Sequence, residues 1–153
     1  MQTKLFESRP IRALTWKEPF GTLMLHGKIE TRKWATSFRG DVLISCGKTP
    51  YNDWQLLEIC GLDQLERMTK IIQPGSKMIN CGYAVAVGTL VNCRMMTRAD
   101  EDDCFVQYRQ GLWCHIYDNI RPIAPMPYKG QQGWKKLPES IWDTLEFISE
   151  LVQ

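Results

Sequence analysis

The segment Leu25-His26-Gly27-Lys28-Ile29-Glu30-Thr31-Arg32-Lys33-Trp34 gathers the side chains of this sequence most suited to chemistry. In an extended strand successive side chains point to opposite faces, which puts Lys28, Glu30, Arg32 and Trp34 on one side. Two cations, a carboxylate and an indole make a poor core face and a good grip for something planar and anionic, such as a nucleotide. A plainer alternative is a solvated, ion-paired sheet face with Trp34 folded over it, since cross-strand charge pairs stabilise sheets modestly.

Three further groups offer cations or aromatics nearby in type. Trp16-Lys17 ends one apolar stretch and Ser45-Cys46-Gly47-Lys48 ends another, while Lys129-Gly130-Gln131-Gln132-Gly133-Trp134-Lys135-Lys136 is a basic, glycine-rich loop holding an indole. Glycine lets backbone amides approach a phosphate, lysine neutralises it, and tryptophan stacks on a base for about 1–3 kcal/mol. The same loop also reads as a solvated turn. The acidic run Asp100, Glu101, Asp102, Asp103 could attract Mg²⁺, but a metal centre needs carboxylates converging from several elements. In the first turn after a Thr97 cap the same acids complement the helix dipole, so no metal or other cofactor is expected. Cys46, near Lys48 at a strand end, has no histidine partner in view and reads as structural.

The elements that must position these groups follow from periodicity. Ile11–Trp16 alternates as a strand, Lys17-Glu18-Pro19 starts a short helix carrying Phe20, Leu23 and Met24, and Gly27 ends it. Ile29–Trp34 and Asp41–Cys46 are the next strands. Asn52 or Asp53 caps a helix carrying Trp54, Leu56, Leu57 and Cys60, broken at Gly61. A second helical stretch holds Leu62, Leu65, Met68, Ile71 and Ile72 until Pro74-Gly75, and these helical stripes read as core. Gly82–Met96 sets bulky odd positions against Ala84, Ala86 and Gly88, as in a strand buried on both sides in a small closed barrel. A short acidic helix, a strand over Leu112–Ile123, a loop over Met126–Leu137 and a final helix from Pro138 to about Leu151 complete the chain. The expected fold is α+β: a small mixed β-barrel with flanking helices, as one domain over residues 1–153.

Composition bounds the function. The 153 residues carry a net charge of +2, with 44% apolar and 24% charged residues, so any basic site must be local. Six cysteines without a C-x-x-C pair, each in or beside an apolar stretch, predict reduced thiols and no zinc site. The amino terminus, Met1-Gln2-Thr3-Lys4, shows no apolar core of signal-peptide length and no run reaches membrane-spanning length, so a cytoplasmic location is expected and no membrane partner.

From Ile11 to Lys136 the chain resembles an ASCH domain (activating signal cointegrator homology) of the PUA-like β-barrel superfamily. The likeness rests on Ala13-Leu14-Thr15-Trp16-Lys17-Glu18-Pro19, on Leu23 to Trp34, and on Phe38-Arg39-Gly40-Asp41-Val42-Leu43-Ile44-Ser45. Ala86-Val87-Gly88-Thr89-Leu90-Val91-Asn92-Cys93-Arg94, Asn119-Ile120-Arg121-Pro122-Ile123 and Tyr128-Lys129-Gly130-Gln131-Gln132-Gly133 extend it. The resemblance implies a cleft beside the barrel that meets RNA or modified nucleotides, lined by a Gly-x-Lys-x-x-Glu-x-Arg signature. One branch of the family deacylates acetylated cytidine with a Lys, a Thr and a Glu, another is associated with RNA cleavage, and others with coregulation of transcription or translation. Here the motif runs Gly27-Lys28-Ile29-Glu30-Thr31-Arg32, one residue shorter on either side of the lysine. Anchored on Arg32, Glu30 takes the Glu place and Gly27 the Lys place; anchored on Lys28, Thr31 falls where the deacylating branch has its threonine. An uninterrupted strand turns Lys28 and Thr31 to opposite faces, and a bulge at Ile29 would reunite them.

Three function classes follow. The first is a nucleic-acid or modified-nucleotide binding module in which Lys17, Lys28, Arg32, Lys48 and Lys129 meet phosphate, Trp16, Trp34 or Trp134 stacks on a base, and Glu30 accepts from base amino groups or positions Arg32. The second, implied by the resemblance, is an amidohydrolase with Thr31 or a water as nucleophile, Lys28 as general base and Glu30, or one of Asp100–Asp103, relaying protons. The third is a protein-interaction module, for which the tryptophans could form a groove.

Overall fold

The computed structural model describes residues 9–72 and 80–148. In chain order these form β1 (Ile11–Trp16), α1 (Phe20–Met24), β2 (Glu30–Arg32), β3 (Gly40–Cys46), α2 (Asp53–Ile71) and β4 (Tyr83–Met95). A 3-10 turn (Arg98–Asp100) then runs into α3 (Glu101–Cys104), followed by β5 (Trp113–Pro127), β6 (Lys135–Leu137) and a second 3-10 segment (Glu139–Thr144). The fold is mixed α+β: one six-stranded sheet with a few helices. No helix among the described residues is long and apolar enough to cross a membrane.

Period-two patterning builds two cores. On β1, Leu14 and Trp16 face a larger core under the helices, while Ile11 and Ala13 face a smaller one; on β3, Val42 and Ile44 divide from Leu43 in the same way. Such strands are buried on both faces, which explains their near-continuous apolar composition. β4 is likewise buried on both sides from Ala84 to Gly88. Its strict odd-even division fails, however, because Val85 and Ala86 both join the larger core. The register slips between Ala84 and Ala86, leaving Val85 as an inserted residue that exchanges the faces. Beyond Leu90 the strand leaves the core, and Val91 and Met95 are exposed.

The hydrogen-bonded order is β2-β5-β4-β3-β1-β6, with β1 and β3 parallel and the other pairs antiparallel. Hydrogen bonding therefore leaves the sheet open, with β2 and β6 as edges, where a closed barrel was expected. Each edge strand has 3 residues, too few to ladder across a seam. Aromatic packing occupies that place instead: Trp134, just before β6, meets Trp34, just after β2, at 6.0 Å and Phe38 at 5.1 Å between ring centroids.

The helices follow their caps, with two departures. Asn52 and Gln55 form a capping box at the start of α2, and Gly61 interrupts it with φ 78° and ψ 167°. The break shifts the phase of the second half, so Gln64 and Met68 turn inward while Leu62 and, upstream, Trp54 (81% exposed) stay outside the core assigned to them. The final helix predicted from Pro138 is not formed. Residues 139–144 are 3-10, Trp142 fills the smaller core and donates to the Arg9 carbonyl at 2.7 Å, and Phe147 bridges to Ile123. Pairing with β5 outweighs local helical periodicity there, while Pro74, Gly75, Leu151 and Val152 lie outside the described residues.

If the aromatic packing holds the two edges together, Trp134→Ala should lower stability by about 2 kcal/mol, part of the usual cost of truncating a buried tryptophan. Urea unfolding measures this, and an unchanged midpoint would show that the edges need no such packing.

Candidate functional site

The turn after α1 decides where the first charged residue goes. Gly27 N–H donates to the Met24 carbonyl and Lys28 N–H to the Leu23 carbonyl, a Schellman-type closure that turns the chain back across the helix end. Ile29 N–H then donates to the Asp103 carbonyl at 2.9 Å, so β2 begins only at Glu30. Lys28 is consequently not part of the strand. Its side chain is 0% exposed; Nζ lies 4.7 Å from the centre of the Phe20 ring and donates to the Ile29 carbonyl and to Glu30 Oε1 at 3.1 Å.

Glu30 joins two cations. Its other oxygen lies 2.9 Å from Arg32 Nε, an ion pair by distance in which the Nε–H itself is not aimed at the oxygen. Arg32 Nη2 donates to the Thr15 carbonyl at 3.2 Å, and the guanidinium sits 5.1 Å from the Trp16 ring and 5.9 Å from Trp34. Burial by itself raises the Glu30 pKa, but Lys28 and then Arg32 outweigh it and hold the carboxyl below its ordinary value. His115, paired with Glu30 across β2 and β5, is fully buried and places Nε2 at 2.8 Å from the Trp34 carbonyl. That contact assigns the proton to Nε2, and burial lowers the histidine pKa so that the ring stays neutral.

Above this ion chain a cleft opens between the two sheet edges. One lobe, of about 360 Å³, lies between Trp16, Trp34, Thr49 and the loop at Gln131 to Gly133. A second, of about 480 Å³, lies between Phe20, Glu30, Thr31, Tyr51, Glu58 and Arg109. Thr15, Lys17 and Arg32 line both, so the lobes meet at a pair of cations. Lys17 Nζ is 5.1 Å from the centre of the Tyr51 ring and has no carboxylate partner among the described residues.

Two backbone features shape the walls. At Gly130 a Cβ would meet Thr15 Cγ2 at 2.8 Å, so only glycine lets the loop lie against β1, where Gln131 N–H donates to Thr15 Oγ1. At Gly61 a Cβ would run into the Gln107 side chain, and the helix break there frees carbonyls that other groups take up. Glu58 O accepts from Arg109 Nη2 at 2.8 Å and Ile59 O from Gln107 N at 3.1 Å, which fixes all four residues along the cleft wall.

The cleft thus unites Trp16, Lys17, Glu30, Thr31, Arg32 and Trp34 from the residues the sequence singles out. Lys28 lies beneath it, behind Phe20 and Glu30, and not on its surface. Lys48 is exposed beside Gly82 and Lys129 is exposed on its loop; neither lines the cleft, and Trp134 is packed in the seam. Thr15, Tyr51, Arg109 and Gln131 line it as well, though the sequence did not single them out as site residues. Thr15 and Gln131 lie within motifs of the resemblance, whereas Tyr51 and Arg109 carried no signal.

Outside the cleft the remaining candidates are structural. Arg94 grips Asp100 with two hydrogen bonds of 2.8 Å, and Thr97 N–H adds a third, which together hold the carboxyl far below its usual range. Asp100 therefore belongs to the helix cap, Glu101 accepts from Tyr108 N–H and Asp102 from the Gln64 amide, and no cluster able to hold a metal occurs among the described residues. Burial, and then the neighbouring Glu18, raise the Cys46 pKa, so its thiol stays protonated. The six cysteines form no disulfide among the described residues, with Cys81 and Cys93 half-buried and the others buried. No family model matches the chain, and no curated protein matches it.

Glu30→Gln should cost about 3 kcal/mol, because it leaves the Lys28 ammonium buried without a counter-charge. The carboxyl's lowered pKa stabilises the fold fully above the ordinary value of 4.5 and progressively less as pH falls through the folded value. Urea midpoints measured from pH 7 to 3 should fall for the parent and fall less steeply for Glu30→Gln. Parallel curves would remove the coupling.

Proposed function

We propose that the chain is a nucleic-acid-binding module that grips RNA or a modified nucleotide in this two-lobed cleft. The observation that carries it is the meeting of Lys17 and Arg32 at the junction of the lobes, with indole and phenol rings on either side. Arg32 is held by Glu30 and the Thr15 carbonyl, so a phosphate meets a fixed guanidinium with N–H groups to spare. Trp34 and Tyr51 offer apolar faces for bases, and the amide of Gln131 supplies polar contact at the other wall. With this goes the finer fold reading, a PUA-like barrel of the ASCH type whose seam is the cleft. Its support is the approach of the β2 and β6 edges through Trp34 and Trp134.

Deacylation of an N-acylated cytidine, as in one branch of the resembling family, is the second reading. What favours it is Thr31 beside Glu30 on the wall of the larger lobe. Against it, Lys28 Nζ is committed to Glu30 and the Ile29 carbonyl beneath the surface, so the lysine of the motif does not share the cleft with Thr31. Ribonuclease action requires a general base, and the buried, cation-paired Glu30 is the one carboxylate that the site and the motif share.

Fluorescence-anisotropy titration of RNA at two salt concentrations tests the binding. Lys17→Ala should weaken it severalfold and reduce the slope of log K against log salt by about 0.7, the value for one phosphate contact on a single strand. Binding that is absent, or indifferent to salt, rules the proposal out. Incubation with acetylated cytidine separates the second reading: turnover lost in Thr31→Val supports it, and no turnover by the parent removes it.

A further inference from the structure

A second hollow, of about 610 Å³, lies between the 3-10 turn after β4 and the loop entering β5, with Arg98, Tyr108 and Arg109 on its walls. Arg109 also lines the larger lobe of the cleft, so the two depressions meet at one guanidinium. From this continuity we infer that the ligand of this face is a single-stranded polynucleotide, which runs from Trp34 past Arg32 and Lys17, over Arg109, to Tyr108 and Arg98.

The inference rests on the proposed nucleic-acid reading and extends it in length. Arg98 is exposed, has no carboxylate partner among the described residues, and holds its guanidinium 4.9 Å from the centre of the Tyr108 ring. A cation laid on an aromatic face is a platform for a stacked base with its phosphate alongside. Arg109 is fixed by the bond from Nη2 to the Glu58 carbonyl, which leaves its other N–H groups for a phosphate at the crossing point. The track therefore sets a run of cations between a ring at each end, Trp34 and Tyr108, a combination found in sites that follow a strand without reading its sequence. A free nucleotide would fill one lobe and leave the second hollow unused. A duplex keeps its bases stacked on one another and offers no free base face to Tyr108. One residue opposes the strand: Glu58 is exposed and lines the larger lobe, and its negative charge disfavours a phosphate there.

Quenching of the cleft tryptophans by a dinucleotide and by an unstructured RNA of about 12 nucleotides, within the usual footprint of one such face, tests the inference. The longer probe should bind at least about tenfold tighter, and Arg98→Ala should remove most of that gain while leaving the dinucleotide unchanged within about twofold. Glu58→Gln should tighten the longer probe severalfold. Circular dichroism checks that both variants keep the parent fold. Equal affinity for the two probes, an unaltered gain in Arg98→Ala, or equal binding of a duplex of the same length overturns the inference and leaves the cleft reading standing. No quenching by either probe overturns both.

Discussion

Lys28, Glu30 and Arg32 form a buried chain of charges on which the rest of this region depends. A carboxylate out of water is costly by itself, and here two cations, one of them fully buried, keep it ionised. The arrangement is asymmetric in a useful way. The ammonium is sealed behind Phe20, whereas the guanidinium reaches past Glu30 to the Thr15 carbonyl and opens on the cleft. Interior charge thus sets the position of surface charge. The exposed end of Arg32 is held without freezing a long, free side chain, which lowers the entropic cost of meeting an anion.

The cleft itself is a consequence of an incompletely paired sheet. β4 and β5 bend at three register shifts, and the β2 edge comes round to the β6 edge without a ladder between them. Two glycines then decide the walls. Gly130 lets one loop lie on Thr15, and Gly61 interrupts α2 so that Arg109 and Gln107 anchor to its freed carbonyls. A continuous helix would satisfy those carbonyls internally and leave Arg109 with no reason to stay. The proposed contact between the cleft and the second hollow therefore depends on a single non-helical residue.

Much of the fold was legible. The strands at Ile11–Trp16 and Asp41–Cys46, the two-sided burial of early β4, the Asn52 cap, the Gly61 break and the acidic cap at Thr97 all appear in period, cap or turn chemistry. Local rules failed where a distant partner competed. The predicted helix after Pro138 lost to pairing with Ile123, the odd-even faces of β4 were exchanged at Val85, and Trp54 stayed outside the core.

For the candidate site, the sequence by itself determined the residue types: alternating charge and indole from Lys28 to Trp34, and a glycine-rich loop able to approach a strand. Only the tertiary structure decided which of them face the cleft. Lys28 went inward because the chain turns at Gly27 before β2 begins, and a strand pattern carries no record of where its strand starts. Tyr51 and Arg109 came to the wall from distant segments, because carbonyls freed at a helix break and rings at a sheet edge are satisfied by whatever the fold brings within reach.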